Sequence, residues 1–526
     1  MYLTQGLQRS LQQRPNEIAV RYLGRSLTFA EFGERVARLA GALLQLGVKM
    51  GDRVALLSLN SQRYLEYSMA VPWCGAVLNP VNTRWSVAEI AYSLDDSGTA
   101  VLIVDDTFKD IAFKVAAASK VEFRLVYAGD GALPEGMMSY EVLIEQAEAV
   151  EDAYRHGDDL AGIFYTGGTT GFPKGVMLSH ANLVSGAVNT LINGAFGKDA
   201  SYLHVMPMFH LADFAVTVAL FMTGGTHVVA PSFDPGRTLE TISQARVTNA
   251  MLAPTMIQMC LDWLERHSEL GAQLDLSSLV GLIYGASPMS QTLLARTRKA
   301  FTSVQLMQGY GMTELAPLAT VLMPEHHSEA GVASGKIRSV GTPVPTVELR
   351  IVDVDDREVT RGVVGEVTVR GPNVMLGYWN RPEATASAIR NGWMHTGDGG
   401  YMDEDGFVYL VDRLKDMIIS GGENVYSVEV ENALGSHPAV AQVAVIGVPH
   451  EKWGESVHAV IVLKPGTNTT LESIQTHCRE LIAGYKCPRS VEFVRSLPLS
   501  SVGKVLKSEL RKSWRNGQGN TAQEKR

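Results

Sequence analysis

YTGGTTGFPKGV, residues 165–176, is the stretch on which the reading of this chain turns. In front of it, AGIFYT (161–166) is a short apolar run of the kind that forms a buried strand. Gly167, Gly168 and Gly171 then leave the backbone free to bring N–H groups close to phosphate oxygens, and Thr169 and Thr170 add two hydroxyl donors. Lys174 closes the segment with a positive charge. A surface turn rich in Gly and Thr needs neither the strand in front nor the lysine behind. The spacing is not that of a Walker A loop, which places Gly directly before the lysine and Ser or Thr directly after it. Here Pro173 precedes Lys174 and Gly175 follows, which disfavours an ordinary P-loop NTPase.

Outward from this loop, short β-branched runs alternate with helical patterns. RVALLSL (53–59), AVLNPVN (76–82), AVLIVDD (100–106) and FRLVYAG (123–129) read as strands, and 29–46 and 87–94 carry helical spacing. Strand–helix–strand alternation predicts parallel sheets covered by helices, an α/β fold. The pattern resumes near Gly162 and runs past Tyr310. From about Val347 the strands become short and alternating (TVELRIVD, GEVTVRG), which predicts a small antiparallel or barrel-like subdomain. The expected organisation is a large N-terminal domain (1–411), a hinge (412–415), a small α+β C-terminal domain (416–511) and a disordered polar tail (512–526). There is no short internal repeat.

A chain of 526 residues can bury a sizeable core without disulfides or metals. Its formal net charge of −9 argues against a nucleic-acid binder. No apolar run reaches the roughly 18 residues of a membrane span, and the N-terminus lacks a signal-peptide layout. No transmembrane segment and a cytoplasmic location are therefore expected. The four cysteines, Cys74, Cys260, Cys478 and Cys487, have no metal-site spacing and read as buried thiols.

Further motifs follow the loop in order: MPMFH (206–210), YGASP (284–288), QGYGMTE (308–314), GYWNRPEAT (377–385), WMHTGDGGYMDEDGF (393–407), VDRLKDMIISGGENVYSVEVE (411–431) and LPLSSVGKVLK (497–507). Together with the loop they resemble, over nearly the whole chain, the adenylate-forming superfamily of acyl-CoA synthetases, peptide-synthetase adenylation domains and firefly-type luciferases. The resemblance implies a mobile C-terminal domain and an ATP-dependent acyl-CoA ligase. A carboxylic acid and ATP give acyl-AMP and pyrophosphate, and the acyl group passes to coenzyme A.

Attack of a carboxylate on a phosphate sets like charges against each other, so the site must neutralise both and hold them in line. By resemblance, Thr166 to Lys174 hold the β- and γ-phosphates, Thr313 bonds a phosphate oxygen and Glu314 holds Mg2+, a hard ion suited to carboxylate and phosphate oxygens. Gly285, Ala286 and Ser287, with Gln308, Gly309, Tyr310 and Gly311, form the adenine pocket. Asp398 and Arg413 face the ribose and phosphate. Lys504 is the adenylation catalyst, Lys415 the hinge, and Gly421 and Gly422 line the pantetheine path. His210 is an orienting or gating group at the junction of acyl and pantetheine sites.

Several positions depart from the family pattern. Gly167 stands where serine is more usual, a feature similar to bacterial long-chain fatty acyl-CoA synthetases. Asp213 replaces a small residue after the FH pair and either shapes the acyl tunnel or faces solvent. Ser427, Leu499 and Val502 also differ. Segments 209–220, 284–286 and 307–317 should form a mostly apolar acyl pocket, which fits a fatty or aryl acid better than an amino acid. A medium- or long-chain fatty acid is the first expectation, ahead of a cinnamate- or benzoate-type acid. Loading of a carrier protein, a luciferase-like oxygenase and a non-enzymatic nucleotide binder are the other readings. Dimers are common in the family, so a homodimer is possible by resemblance.

Overall fold

The computed structural model describes residues 1–166, 173–193, 196–285, 289–413, 416–420, 423–500 and 505–517. Its first sheet has eight strands, in the order Gly377–Tyr378, Lys174–Ser179, Leu160–Thr166, Val77–Pro80, Arg53–Leu57, Thr99–Val104, Arg124–Tyr127, Met138–Ser139. Its centre is parallel, and the strand Leu160–Thr166 turns back antiparallel into Lys174–Ser179. All four strands expected between 53 and 129 are present, each slightly shorter than its apolar run. The helix Phe29–Gln45 starts where Thr28 and Glu31 form a reciprocal capping box. The helix Val87–Ser97 begins on a second capping box and ends at Gly98, whose φ of 62° suits a residue without Cβ.

The second sheet has nine strands, parallel through Ile18–Tyr22, Thr226–Val229, Ser201–His204, Asn249–Met251, Gly281–Gly285 and Gln305–Gly311. It takes one parallel strand from the extreme N-terminus, which chain order alone would assign to the first sheet. Helices Gln62–Trp73 and Leu211–Thr223 are buried on almost every side. One core cluster runs continuously through both sheets and into the third.

The third sheet is five-stranded and antiparallel, built from Glu348–Val352, Gly365–Arg370, Trp393–Met402, Ile389–Arg390 and Val408–Arg413. It is the small curled subdomain expected after Val347. Sheet membership changes between Arg413 and Ile418, where a fourth sheet begins with its own cores. The tail does not begin at 512. The helix Lys507–Gly517 continues through that point because Leu510 and Trp514, one turn apart, pack against Ala444, Ile446 and Val460. The remainder, 518–526, lies outside the described residues. The four cysteines are free and buried. No helix among the described residues is long and apolar enough to cross a membrane.

Candidate active site

Strands Leu160–Thr166 and Lys174–Ser179 place Thr166 directly opposite Lys174 at the root of the glycine loop. The root is anchored from behind, where the Tyr165 hydroxyl donates to Asp96 Oδ2 at 2.7 Å. Lys174 Nζ lies 4.9 Å from the centre of the Tyr378 ring, over its electron-rich face. Tyr378 sits on the two-residue strand that pairs with Lys174–Ser179, opposite Val176. Its hydroxyl donates to Glu314 Oε1 at 2.8 Å. Burial, and then the Glu314 charge, push the Tyr378 phenol well above its ordinary range. It therefore stays a neutral donor at any working pH. Glu314 lies in the tight turn Thr313–Leu315, and its carbonyl accepts from Met375 N at 2.9 Å. The lysine, the tyrosine and the carboxylate form one contiguous line across two sheets.

A second pair joins the second sheet to the third. Tyr310, near the end of the strand Gln305–Gly311, donates its hydroxyl to Asp398 Oδ2 at 2.7 Å. Asp398 is held by its own N–H to Thr396 Oγ1 at 3.1 Å and stands opposite Arg413 in the ladder. Beside Tyr310, within the second sheet, runs a strip without side chains. Gly285 pairs with Gly309, and a Cβ added to Gly285 would sit 2.7 Å from the Gly309 carbonyl. A Cβ on Gly311 would meet the Pro317 carbonyl at 1.8 Å. The backbones approach too closely there for side chains. Gln308 precedes Gly309 and pairs with Tyr284. It is buried and accepts from Tyr284 Oη at 3.2 Å, while that hydroxyl also meets His327 Nε2 at 2.9 Å.

His210 caps the helix Leu211–Thr223, its Nδ1 accepting from Ala212 N at 3.3 Å. A lone pair on Nδ1 leaves the proton of the neutral ring on Nε2. Burial lowers the imidazole to about 4, with Asp213 pulling the other way. At neutral pH His210 is thus an uncharged Nε2–H donor rather than a base. Asp213, in the first turn of that helix, does not face solvent. It is fully buried, 2.7 Å from His204 Nδ1 and 3.4 Å from the Tyr202 hydroxyl, and His204 Nε2 lies 2.9 Å from His227 Nδ1.

Gly167, Gly168, Thr169, Thr170, Gly171, Ala286, Ser287, Lys415, Gly421, Gly422 and Lys504 lie outside the described residues, as does the Arg413 side chain. Of the remaining expected groups, Thr166, Lys174, Thr313 and Glu314 converge on one side, and Gly285, Gly309, Tyr310 and Asp398 on the other. Sequence reading missed Tyr378, Trp379 and Asp96. Trp379 Nε1 donates to the Asp96 carbonyl at 2.8 Å, so Asp96 binds both the loop root and the GYWNRPEAT segment. The aromatic residues in that motif were the available signal.

The α/β frame, its curled third sheet and its separate C-terminal sheet are those of an adenylate-forming enzyme. The chain belongs to the AMP-binding enzyme family: the family model matches residues 7–379, and that for the AMP-binding enzyme C-terminal domain matches 429–504. It is similar to a feruloyl-CoA synthase from an Amycolatopsis species, with 41% identity covering 96% of this chain and 98% of the relative. It is 36% identical to a long-chain-fatty-acid–CoA ligase of Escherichia coli, covering 95% and 92% of the two chains. Among solved structures it resembles the anthranilate CoA ligase AuaEII in complex with anthranoyl-AMP, with a TM-score of 0.90, 28% identity and coverage of 99% and 98%. The protein is an AMP-forming acyl-CoA ligase.

Proposed function

We propose that this ligase activates an aryl acid of the hydroxycinnamate class. The observation that carries this reading is the 41% identity, nearly end to end, to a feruloyl-CoA synthase, against 36% to a fatty-acid ligase. This reverses the order suggested by Gly167. The fatty acid remains the second reading, favoured by that glycine and by the E. coli relative.

The chemistry proceeds in two displacements. A carboxylate oxygen bonds to the α-phosphorus of ATP as pyrophosphate leaves, and the CoA thiol then attacks the acyl carbonyl as AMP leaves. Adenine lies between the Gly285–Gly309 strip and Tyr310, and Asp398 accepts from the ribose. Lys174 and the glycine loop hold the β- and γ-phosphates, while Lys504 offsets charge developing at the α-phosphate. His210 Nε2–H donates to the acyl or pantetheine group. Among the described residues no three His, Cys, Asp or Glu side chains are grouped to hold a metal. The buried, oxygen-only donor Glu314 fits a Mg2+ shared with nucleotide phosphates, which would neutralise part of their charge.

The test follows pyrophosphate release with MgATP and ferulate, cinnamate, benzoate or straight-chain fatty acids, with and without CoA, and identifies the product by mass. Turnover confined to aryl acids with acyl-CoA formed supports the proposal. A maximum among long fatty acids overturns it. Adenylate formed without acyl-CoA points to a carrier protein as acceptor.

A further inference from the structure

Arg84 lies in the short loop between the strand Val77–Pro80 and the helix Val87–Ser97, outside every motif that marks the family above. The loop is tightly held. Arg84 N–H donates to Asn82 Oδ1 at 3.0 Å, and Trp85 N–H donates to the Asn82 carbonyl at 3.2 Å. Ser86 and Glu89 close a capping box one residue later. The Trp85 ring meets the Tyr165 ring edge-on at 6.5 Å, and Tyr165 in turn bonds Asp96 near the end of the same helix. Arg84 is therefore fixed, through two aromatic rings and a carboxylate, to the root of the phosphate loop.

From this base the Arg84 side chain reaches across to the C-terminal region, where Nη1 donates to the Ser500 carbonyl at 3.0 Å. Ser500 follows Leu499, which bridges to Val505, and it precedes Lys504 by four positions in the sequence. We propose that Arg84 is a positioning residue that docks the C-terminal domain in its adenylate-forming pose by holding the Ser500 carbonyl at the rim of the nucleotide site. The proposal rests on the reading that Lys504 serves adenylation.

The chemistry of the contact suits the task. The acceptor is a main-chain carbonyl, so the docking tolerates the side chains at 499 and 502 that depart from the family pattern. The guanidinium is always charged and its fork keeps its donors oriented. The contact is also exposed, which limits its strength. A pose that must be left before CoA can attack is better held by such a contact than by a buried ion pair.

The test uses Arg84→Ala and Arg84→Lys in the full chain, with the acid that the wild type turns over best. Pyrophosphate release in a single turnover without CoA reads the first half-reaction. Thioester formation from supplied acyl-AMP and CoA reads the second. Arg84→Ala should slow the first by about two- to tenfold, the range expected for one exposed charged hydrogen bond, with the second unchanged or faster and the melting temperature unmoved. Arg84→Lys should recover part of the loss. Equal slowing of both half-reactions, or no effect on either, overturns the proposal. A wild type active only on fatty acids overturns the aryl reading, yet the split between half-reactions is then read with a fatty acid.

Discussion

Asp213 and Glu314 are both carboxylates shut away from water, at 0% and 7% exposure, yet the protein gives them different company. Asp213 sits 2.7 Å from the His204 imidazole, with the His227 imidazole behind it. Glu314 accepts from a phenol that burial keeps neutral. A phenol solvates a carboxylate without cancelling its charge, which leaves that charge for an incoming cation. The two imidazoles instead tie the Asp213 carboxylate, and with it a helix, to two strands.

The largest expected effect separates the two directly. Asp213→Ala leaves His204 without its acceptor in a dry core and should cost about 3–5 kcal/mol of stability, the usual range for breaking a buried pair. Urea unfolding measures it. The kcat of the folded protein should be unchanged, and a collapse of kcat with normal stability breaks the comparison. Glu314→Gln is the mirror case. It should lower kcat about 10²- to 10³-fold, in the range of a lost charge-stabilising group, with little change in melting temperature. A Mg2+ titration should show a weakened response. Normal Mg2+ dependence in this variant removes Glu314 from the metal role.

The same contrast shows what a sequence can and cannot carry. Gly285, Gly309, Tyr310 and Asp398 could be named from sequence because each sits in a short motif whose residue types the chemistry requires. The four strands between 53 and 129 were legible because each is a short apolar run. Asp213 was not, because its partners His204 and His227 lie on two neighbouring strands, and only sheet order brings them under one helix. Tyr378 was quoted within a motif, but its place against Glu314 depends on a two-residue strand that no periodicity can announce. The strand Ile18–Tyr22 joins the second sheet for a similar reason. Parallel pairing at long separation leaves no local mark.

Acid gives a middle-sized test that acts on the fold. His180, His327 and His458 are each pushed down to about 4 by burial, so they stay neutral in the folded protein while the unfolded chain binds protons below about 6.5. The unfolded state then holds more protons, and stability falls as pH drops. The contribution of these residues is complete above about 6.5 and is lost progressively between 6.5 and 4, with a slope of up to about 1.4 kcal/mol per pH unit per group. Urea midpoints measured across that window should fall continuously. A flat profile means these imidazoles are not buried neutral.

The smallest effect sharpens the comparison most, because it changes the company of Glu314 without touching the carboxylate. Tyr378→Phe removes the hydroxyl that donates to Glu314 and keeps the ring under Lys174. A single neutral hydrogen bond is worth about 0.5–1.5 kcal/mol net, so kcat/KM for ATP should fall about two- to tenfold. Tyr378→Leu also removes the ring face and should lose further activity by releasing Lys174. If Phe is as damaging as Glu314→Gln, the phenol does more than solvate the charge. If Phe is silent and Leu is not, the tyrosine acts on the lysine alone, and the carboxylate keeps its charge by other means.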